Sequence, residues 1–157
     1  MAADLKELQA LHVIDSLSEV CLGKDYCGSC EPGTCLIRYA QDGLRKCLKE
    51  KILYVSDGTK NIPHGDSKLY REEALINGIA NILVSCRSCQ YEHFEDCIVS
   101  VIRNCYEIAL FGDVRPYDGS NFHYLTKLAS DGMPQADEIL ARFQQIKKAR
   151  DEELAKK

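Results

Sequence analysis

The feature that most constrains this chain is a cysteine pattern that occurs twice. Both copies read Cys-x-Ser-Cys followed by Glu or Gln, and after a short polar loop a third cysteine opens an apolar run with helical spacing. The cysteines are Cys27, Cys30 and Cys35 in the first copy and Cys86, Cys89 and Cys97 in the second. A Cys-x-x-Cys pair holds two sulfurs on one tight turn, where both can bind the same metal ion or cluster. The repeated pattern therefore predicts metal binding.

Length and charge set the class of protein. The 157 residues suffice for one domain with its own core, so we expect a single helical metal-binding domain spanning 1–157. A formal net charge of -4 argues against a general nucleic-acid binder. No apolar run approaches the length of a membrane span. Residues 1–20 carry acidic residues in an amphipathic pattern, which argues against a signal sequence. We expect a cytoplasmic protein that binds neither nucleic acid nor membrane.

This compartment decides how the nine cysteines are interpreted. In a reducing cytoplasm, thiols stay free unless they bind metal or take part in redox chemistry. An odd number of cysteines also leaves at least one of them unpaired in any disulfide scheme. Metal binding is therefore favoured over a disulfide framework.

Apolar periodicity predicts two helices in the first half of the chain. The first covers residues 4–21 and ends before Gly23. Its predicted buried stripe is Leu8, Leu11, Ile14, Leu17 and Cys21. Thr34 is the expected cap of the second helix, because its hydroxyl can accept a backbone N–H of the first turn. The stripe of that helix is Leu36, Ala40, Leu44, Cys47 and Leu48.

The second half repeats the helix pair. Turn-forming residues from 54 to 68 predict a long loop that joins the halves. A brief strand is also predicted at 52–55, where the loop begins. Ser67 is the expected cap of a third helix, whose stripe is Leu75, Ile79, Ile82, Leu83 and Cys86. The fourth helix ends at Phe111-Gly112, and its inward residues are Cys97, Val101, Cys105 and Ile108.

Two shorter patterns follow at the C-terminus. Ser120 is expected to cap a short helix, and a final helix begins near Pro134, a residue favoured in the first helical turn. The final helix shows only a thin apolar stripe of Ile139, Phe143 and Ile146. Residues 147–157 are nearly all charged or Ala, so we expect them to protrude or fray.

These elements predict an all-α fold. Two cysteine-containing helical hairpins, in pseudo-repeat halves at about residues 4–50 and 69–111, pair into a four-helix bundle. Both cysteine loops then reach the same end of the bundle. One or two C-terminal helices, including 134–157, pack on the outside.

The cysteines can share one site. In this arrangement Cys27, Cys30, Cys86 and Cys89 form a four-thiolate metal site that joins the hairpins, and Cys35 and Cys97 are the next candidate ligands. A variant of it places all six loop cysteines around one larger cluster. Four thiolates satisfy either a tetrahedral zinc ion or an iron-sulfur cubane.

Alternatively, each half holds its own site. Three cysteines of one loop then need a fourth ligand, supplied by Cys21, Cys47 or Cys105 or from outside the protein. Against this, those three cysteines fall on apolar helical stripes and are expected to be ordinary core residues. His93 is the histidine nearest the thiolates in sequence, although a solvated loop residue is the favoured interpretation of it.

Spacing favours an iron-sulfur cluster of the 4Fe-4S type, because a third cysteine after each pair is typical of clustered thiolates. The first interpretation of function is a small carrier of electrons or clusters, or an accessory subunit of a redox enzyme. The expected partner is a larger redox enzyme, and a homodimer is also compatible with the sequence. No catalytic motif appears, so an activity of its own is not expected. The alternatives are a zinc-stabilised helical adaptor and, third, a Cu(I)-thiolate storage protein.

Overall fold

The computed structural model describes residues 7–27, 34–52, 54–66, 69–87, 97–117 and 120–155. These residues form the helices α1 (Glu7–Val20), α2 (Lys24–Cys27), α3 (Leu36–Glu50), α4 (Glu72–Arg87), α5 (Ile98–Phe111), α6 (Asn121–Ser130) and α7 (Ala136–Ala155). The predicted all-α class is confirmed over these ranges. Of the brief strand expected at 52–55, Leu53 lies outside the described residues, and the described part forms one isolated antiparallel bridge between Tyr54 and Cys97.

The ends of the helices follow local chemistry. Ser120 caps α6 as predicted, because its Oγ accepts the backbone N–H of His123 at 3.2 Å. Gly112 ends α5 with a φ of 87°, a left-handed conformation that costs glycine little. The expected cap at Thr34 is wrong by one residue, since Cys35 caps α3 through its sulfur. Ser67 and the predicted start of the first helix at residue 4 lie outside the described residues.

The predicted buried stripe of α1 is largely wrong. Among the side chains of this helix that the structure describes, those of Ala10, Val13, Ser16, Leu17 and Val20 are buried, and the side chain of Leu8 lies outside them. Leu11 is 52% exposed and Ile14 is 39% exposed. Apolar residues occupy two faces of α1, and the face that packs inward includes Ser16, whose hydroxyl lies 2.9 Å from the Tyr106 hydroxyl. A buried polar contact of this kind has no apolar periodicity to reveal it.

The expected fraying of residues 147–157 is wrong over its described part, because α7 continues to Ala155. Arg150 is only 8% exposed and reaches α4, where it donates hydrogen bonds to Asn81 and Ser85. Glu153 pairs with His12 of α1 at 3.4 Å. Polar contacts therefore hold the final turns of α7 in place of the missing apolar stripe.

Helices α4 and α5 form the centre of the molecule. Helix α4 packs against α1, α5 and α7, and α5 packs against α3 and α4. Every residue from Ile98 to Ile108 is buried. Gly78 makes this packing close, because a Cβ there would lie 2.6 Å from the Tyr106 ring. A helix buried on all sides is an interior helix rather than one wall of a solvent-facing layer.

Helix α5 runs antiparallel to α3. Near its start, Ile98 lies beside Gly43, where an added Cβ would be 3.2 Å from the Ile98 side chain. The bridge from Tyr54 to Cys97 brings the chain just after α3 against the start of α5. At the opposite end, Cys35 is close enough to influence the thiol of Cys105. The N-termini of α3 and α5 therefore lie at opposite ends of this pair.

We name the two ends by their cysteines. The first cysteine end comprises Cys35 with Asp66 and Tyr70, which lie just before α4 and contact the start of α3. The second cysteine end comprises Cys47, Tyr54 and Cys97. Helix α4 starts beside the first cysteine end, and its 16 residues cover about 24 Å at the standard helical rise.

Candidate thiolate sites

The third cysteine of each copy occupies the same position in its helix. Cys35 is the N-cap residue of α3, and Cys97 is the N-cap residue of α5. Each cysteine carbonyl accepts the backbone N–H four positions on, from Tyr39 and Val101 respectively, at 2.9 Å in both cases. The repeat seen in the sequence is thus also a repeat of local structure at these two cysteines.

At the first cysteine end, the sulfur of Cys35 lies among hydrogen-bonding groups. The backbone N–H of Arg38 donates to Cys35 Sγ at 3.3 Å. The Tyr70 hydroxyl oxygen lies 3.5 Å from the same sulfur and donates its proton to Asp66 Oδ2 at 2.5 Å. That carboxylate oxygen also accepts the backbone N–H of Leu36 at 2.9 Å. Burial, followed by the bonds to Asp66 and Cys35, raises the pKa of Tyr70, so its hydroxyl keeps its proton.

Two further cysteines precede this end along the chain. Cys21 directly follows α1 and Cys27 ends α2, and both side chains are exposed free thiols. The expectation that Cys21 belongs to the core is therefore wrong. The short α2 lies within the segment predicted to be an irregular loop, and Cys27 N–H donates to the Gly23 carbonyl at 3.1 Å. Cys30 lies outside the described residues.

The cysteine side chains of the second cysteine end are more deeply buried than that of Cys35. Cys97 is 8% exposed and Cys47 is 2% exposed. Cys47 donates its S–H to the Tyr54 carbonyl at 3.9 Å, a long contact. Burial, and after it the nearby Cys97, raises the pKa of Cys47 to about 11. Among the described residues, this end therefore pairs two buried thiols on different helices.

The core prediction is confirmed for Cys47 and also for Cys105, which is fully buried. Burial is the main cause that raises the pKa of the Cys105 thiol, and the charge of Cys35 adds to it. Cys105 lies within α5, among residues that are buried on all sides. Core packing accounts for its position without a ligand role.

The structure describes only some of the predicted metal ligands. Cys89 and His93 lie outside the described residues, as does the side chain of Cys86 at the end of α4. Within the ranges that the structure describes, no three His, Cys, Asp or Glu side chains are grouped as a metal site. The ligand set of Cys27, Cys30, Cys86 and Cys89, with Cys35 and Cys97, remains a prediction.

Sequence reasoning missed the partners of Cys35. Asp66 is predicted in a surface loop and Tyr70 in the helix that follows the expected cap Ser67, yet both precede α4 and contact the start of α3. The only sequence signal was their spacing of four residues beside turn formers, which is common in unrelated loops. Their role depends on the tertiary approach of this segment to α3.

A buried ion pair was missed for a related reason. Arg103 Nε lies 3.5 Å from Glu107 Oε2, and their side chains are 5% and 0% exposed. Tyr124 of α6 donates to the same carboxylate oxygen at 2.5 Å, and Arg103 stacks 4.3 Å from the centre of the Tyr117 ring. Burial is the main cause that raises the pKa of Glu107, although Arg103 opposes it. Opposite charges four residues apart in an otherwise apolar run were the available signal.

Comparison with protein-family models, with curated proteins and with solved structures finds no match to this chain. A search of the described helices finds none whose length and apolarity suit a membrane crossing.

Proposed function

We propose that this chain is a small metal-thiolate protein that binds an iron-sulfur cluster of the 4Fe-4S type. It carries an electron or a cluster to a larger redox protein, or it serves as an accessory subunit of that protein. The observation that carries the proposal is the shared position of Cys35 and Cys97, each the N-cap residue of the helix that follows a Cys-x-Ser-Cys pair. We also propose that the two cysteine-containing hairpins pair into a four-helix bundle.

Helix starts suit thiolate ligands. The free N–H groups and the dipole at a helix N-terminus favour negative charge, and a metal ligand must be a thiolate. Arg38 N–H already donates to Cys35 Sγ in this way. Hydrogen bonds to ligating sulfurs are also one of the means by which proteins set the potential of iron-sulfur clusters. The donor set at the first cysteine end therefore fits such a cluster.

The distance between the two ends favours one site in each half. A shared site requires sulfurs within a few Å of one another, since a Zn–S bond is about 2.3 Å long. Helix α4 alone covers about 24 Å between its start near Cys35 and its end at Arg87. We therefore propose one set comprising Cys27, Cys30 and Cys35, with its fourth ligand supplied from outside the protein. The other set comprises Cys47, Cys86, Cys89 and Cys97.

The second candidate function is a zinc-stabilised adaptor, and the burial of Cys47 and Cys97 favours it at the second cysteine end. Structural zinc sites are closed and four-coordinate, and their binding energy stabilises the fold directly. In this case the protein acts through its surfaces, and the metal has no redox role. A cluster, when bound, supplies one-electron chemistry that zinc lacks.

Purification without oxygen separates the two candidates. We expect a brown protein with charge-transfer absorbance and bound iron and sulfide if the first proposal is right. A colourless protein with stoichiometric zinc would support the adaptor. Elemental analysis of the same sample, beside the spectrum, gives the metal content. A fully reduced protein without any metal would overturn both.

A further inference from the structure

A group of hydrogen bonds at the first cysteine end connects Cys35 to the segment before α4. The Tyr70 hydroxyl lies 3.5 Å from Cys35 Sγ and donates to Asp66 Oδ2 at 2.5 Å. Asp66 Oδ2 also accepts the backbone N–H of Leu36, the first residue of α3, at 2.9 Å. Asp66 thus holds both the tyrosine and the start of the helix that Cys35 caps.

We infer that Tyr70 and Asp66 are positioning residues that orient the sulfur of Cys35 for metal binding, an inference that rests on the proposed function. Neither residue is a ligand in this scheme. Tyr70 orients the sulfur, and Asp66 fixes Tyr70. Hydrogen-bonded partners of metal ligands typically contribute about 10- to 100-fold in metal affinity, because they hold the ligand in its binding orientation.

The arrangement of protons supports this role. A metal-bound cysteine sulfur has no proton to donate, so it acts only as a hydrogen-bond acceptor. Arg38 N–H is one donor to it, and the Tyr70 hydroxyl at 3.5 Å is a second donor within reach. Because the phenol has one proton, Tyr70 donates it to Asp66 in the metal-free chain and to the thiolate once metal is bound, whereas Asp66 Oδ2 keeps the N–H of Leu36 in both states. The helix start therefore stays fixed while the sulfur gains a donor.

The chain offers a matched control for Tyr70. Tyr39, on the same α3, donates its hydroxyl to the Gly58 carbonyl at 2.6 Å. Like Tyr70, it connects α3 to the segment between α3 and α4 through a phenol hydrogen bond. Its hydroxyl bonds a backbone carbonyl, whereas that of Tyr70 bonds a carboxylate and lies 3.5 Å from Cys35 Sγ. Loss of either hydroxyl removes a phenol hydrogen bond, and loss of the Tyr70 hydroxyl also removes its contact with the sulfur.

The test is a titration of the full, reduced, metal-free chain with Co²⁺ under argon, followed by thiolate-to-cobalt charge-transfer absorbance. The variants are Tyr70→Phe, Asp66→Asn and the control Tyr39→Phe, each also combined with Cys35→Ser. We expect Tyr70→Phe and Asp66→Asn to weaken binding at the first cysteine end by about 10-fold or more. Tyr39→Phe should stay within about twofold of the wild type, since its hydroxyl donates to the Gly58 carbonyl. In the Cys35→Ser background, Tyr70→Phe should add no further loss.

Metal-free thermal unfolding gives the readout for folding. Tyr70→Phe and Tyr39→Phe should each lower the midpoint by about a few degrees, and Tyr70→Phe by at least as much as Tyr39→Phe, because the Tyr70 hydroxyl contacts both Asp66 and Cys35. If Tyr70→Phe binds Co²⁺ as tightly as Tyr39→Phe does, or if its effect persists with Cys35→Ser, the positioning role is wrong. If the wild type itself gives no charge-transfer absorbance with Co²⁺, the proposed function fails at the same time. The wild-type titration therefore separates the two failures.

Discussion

The two cysteine ends carry the same sequence pattern in different surroundings. At the first end, Cys35 is half-buried beside an N–H, a phenol and a carboxylate, and the exposed Cys21 and Cys27 precede it. At the second end, Cys47 and Cys97 are buried, and their sulfurs belong to different helices. Two copies of one motif therefore acquire different access to solvent from the segments that pack on them.

Helix α5 shows the same division along its length. Its first turns, from Ile98 to Ile102, bury only apolar side chains and one serine. Its later turns, towards the first cysteine end, bury Arg103, Asn104 and Glu107. Polar contacts fix the fold near the first end, and apolar packing fixes it near the second. This contrast predicts different responses of the two ends to substitution and to pH.

The largest expected effect is the loss of metal from one end at a time. Cys30→Ser with Cys35→Ser should remove about half of the bound metal, and Cys89→Ser with Cys97→Ser the other half, because each loop supplies its own thiolates in the proposed arrangement. Iron, zinc and sulfide analysis of protein purified without oxygen measures this. Complete loss in both double variants would instead indicate one shared site.

The reactivity of the metal-free thiols is the next difference. Cys21 and Cys27 should react with iodoacetamide about 100-fold faster than Cys47, because a buried thiol reacts only after local opening that costs about 3 kcal/mol. Mass spectrometry of peptides at successive times gives each rate, and denatured protein is the control in which the rates converge. Equal rates in the native protein would contradict the burial of the Cys47 thiol.

Tight packing at the second end predicts a stability difference between two glycines of the same segment. In Gly58→Ala, the new Cβ meets Val101 Cγ2 at 2.8 Å and Val55 Cβ at 2.9 Å. We expect a loss of about 1–3 kcal/mol in the free energy of unfolding from this overpacking.

Gly65 is the control, since an added Cβ there has no atom within 4 Å. Its replacement by Ala should change the free energy of unfolding by less than about 0.5 kcal/mol. Urea denaturation of both variants measures the difference. Similar losses at both glycines would show that the two regions are packed alike.

The smallest effect concerns pH and the polar half of α5. Burial raises the pKa of Glu107 above 4.5, so the folded state holds this proton more tightly than the unfolded state. The free energy of unfolding should therefore fall as pH rises through the window above 4.5, by at most about 1.4 kcal/mol per pH unit for one proton. Glu107→Gln should remove this contribution. Urea midpoints at several pH values test it, and identical slopes in both proteins would contradict it.

The sequence predicted most helices because apolar periodicity and cap residues are local properties. Ser120 and Gly112 end their elements as expected, and α5 begins one residue after Cys97. The buried face of α1 could not be chosen in this way, because both candidate faces contain apolar residues. Arg150 shows the same limit in α7, since its burial depends on Asn81 and Ser85, which are remote in sequence.

The repeat was predictable from the sequence, but the placement of its third cysteines was not. Cysteine spacing indicates metal binding, which stays a prediction, and the equal N-cap positions of Cys35 and Cys97 agree with the repeat. The end at which Cys35 or Cys97 lies depends on the antiparallel packing of α3 and α5, which the spacing of the cysteines does not predict. Asp66 and Tyr70 approach Cys35 only after the same packing is formed.

Native mass spectrometry of the full chain, purified without oxygen, tests the central claim most directly, because it counts the inorganic centres on each molecule. We predict a mass that includes two centres, together with species that have lost one of them. A chain that never holds more than a single centre, or that carries none in the absence of air and chelators, would contradict the account of one thiolate site at each end.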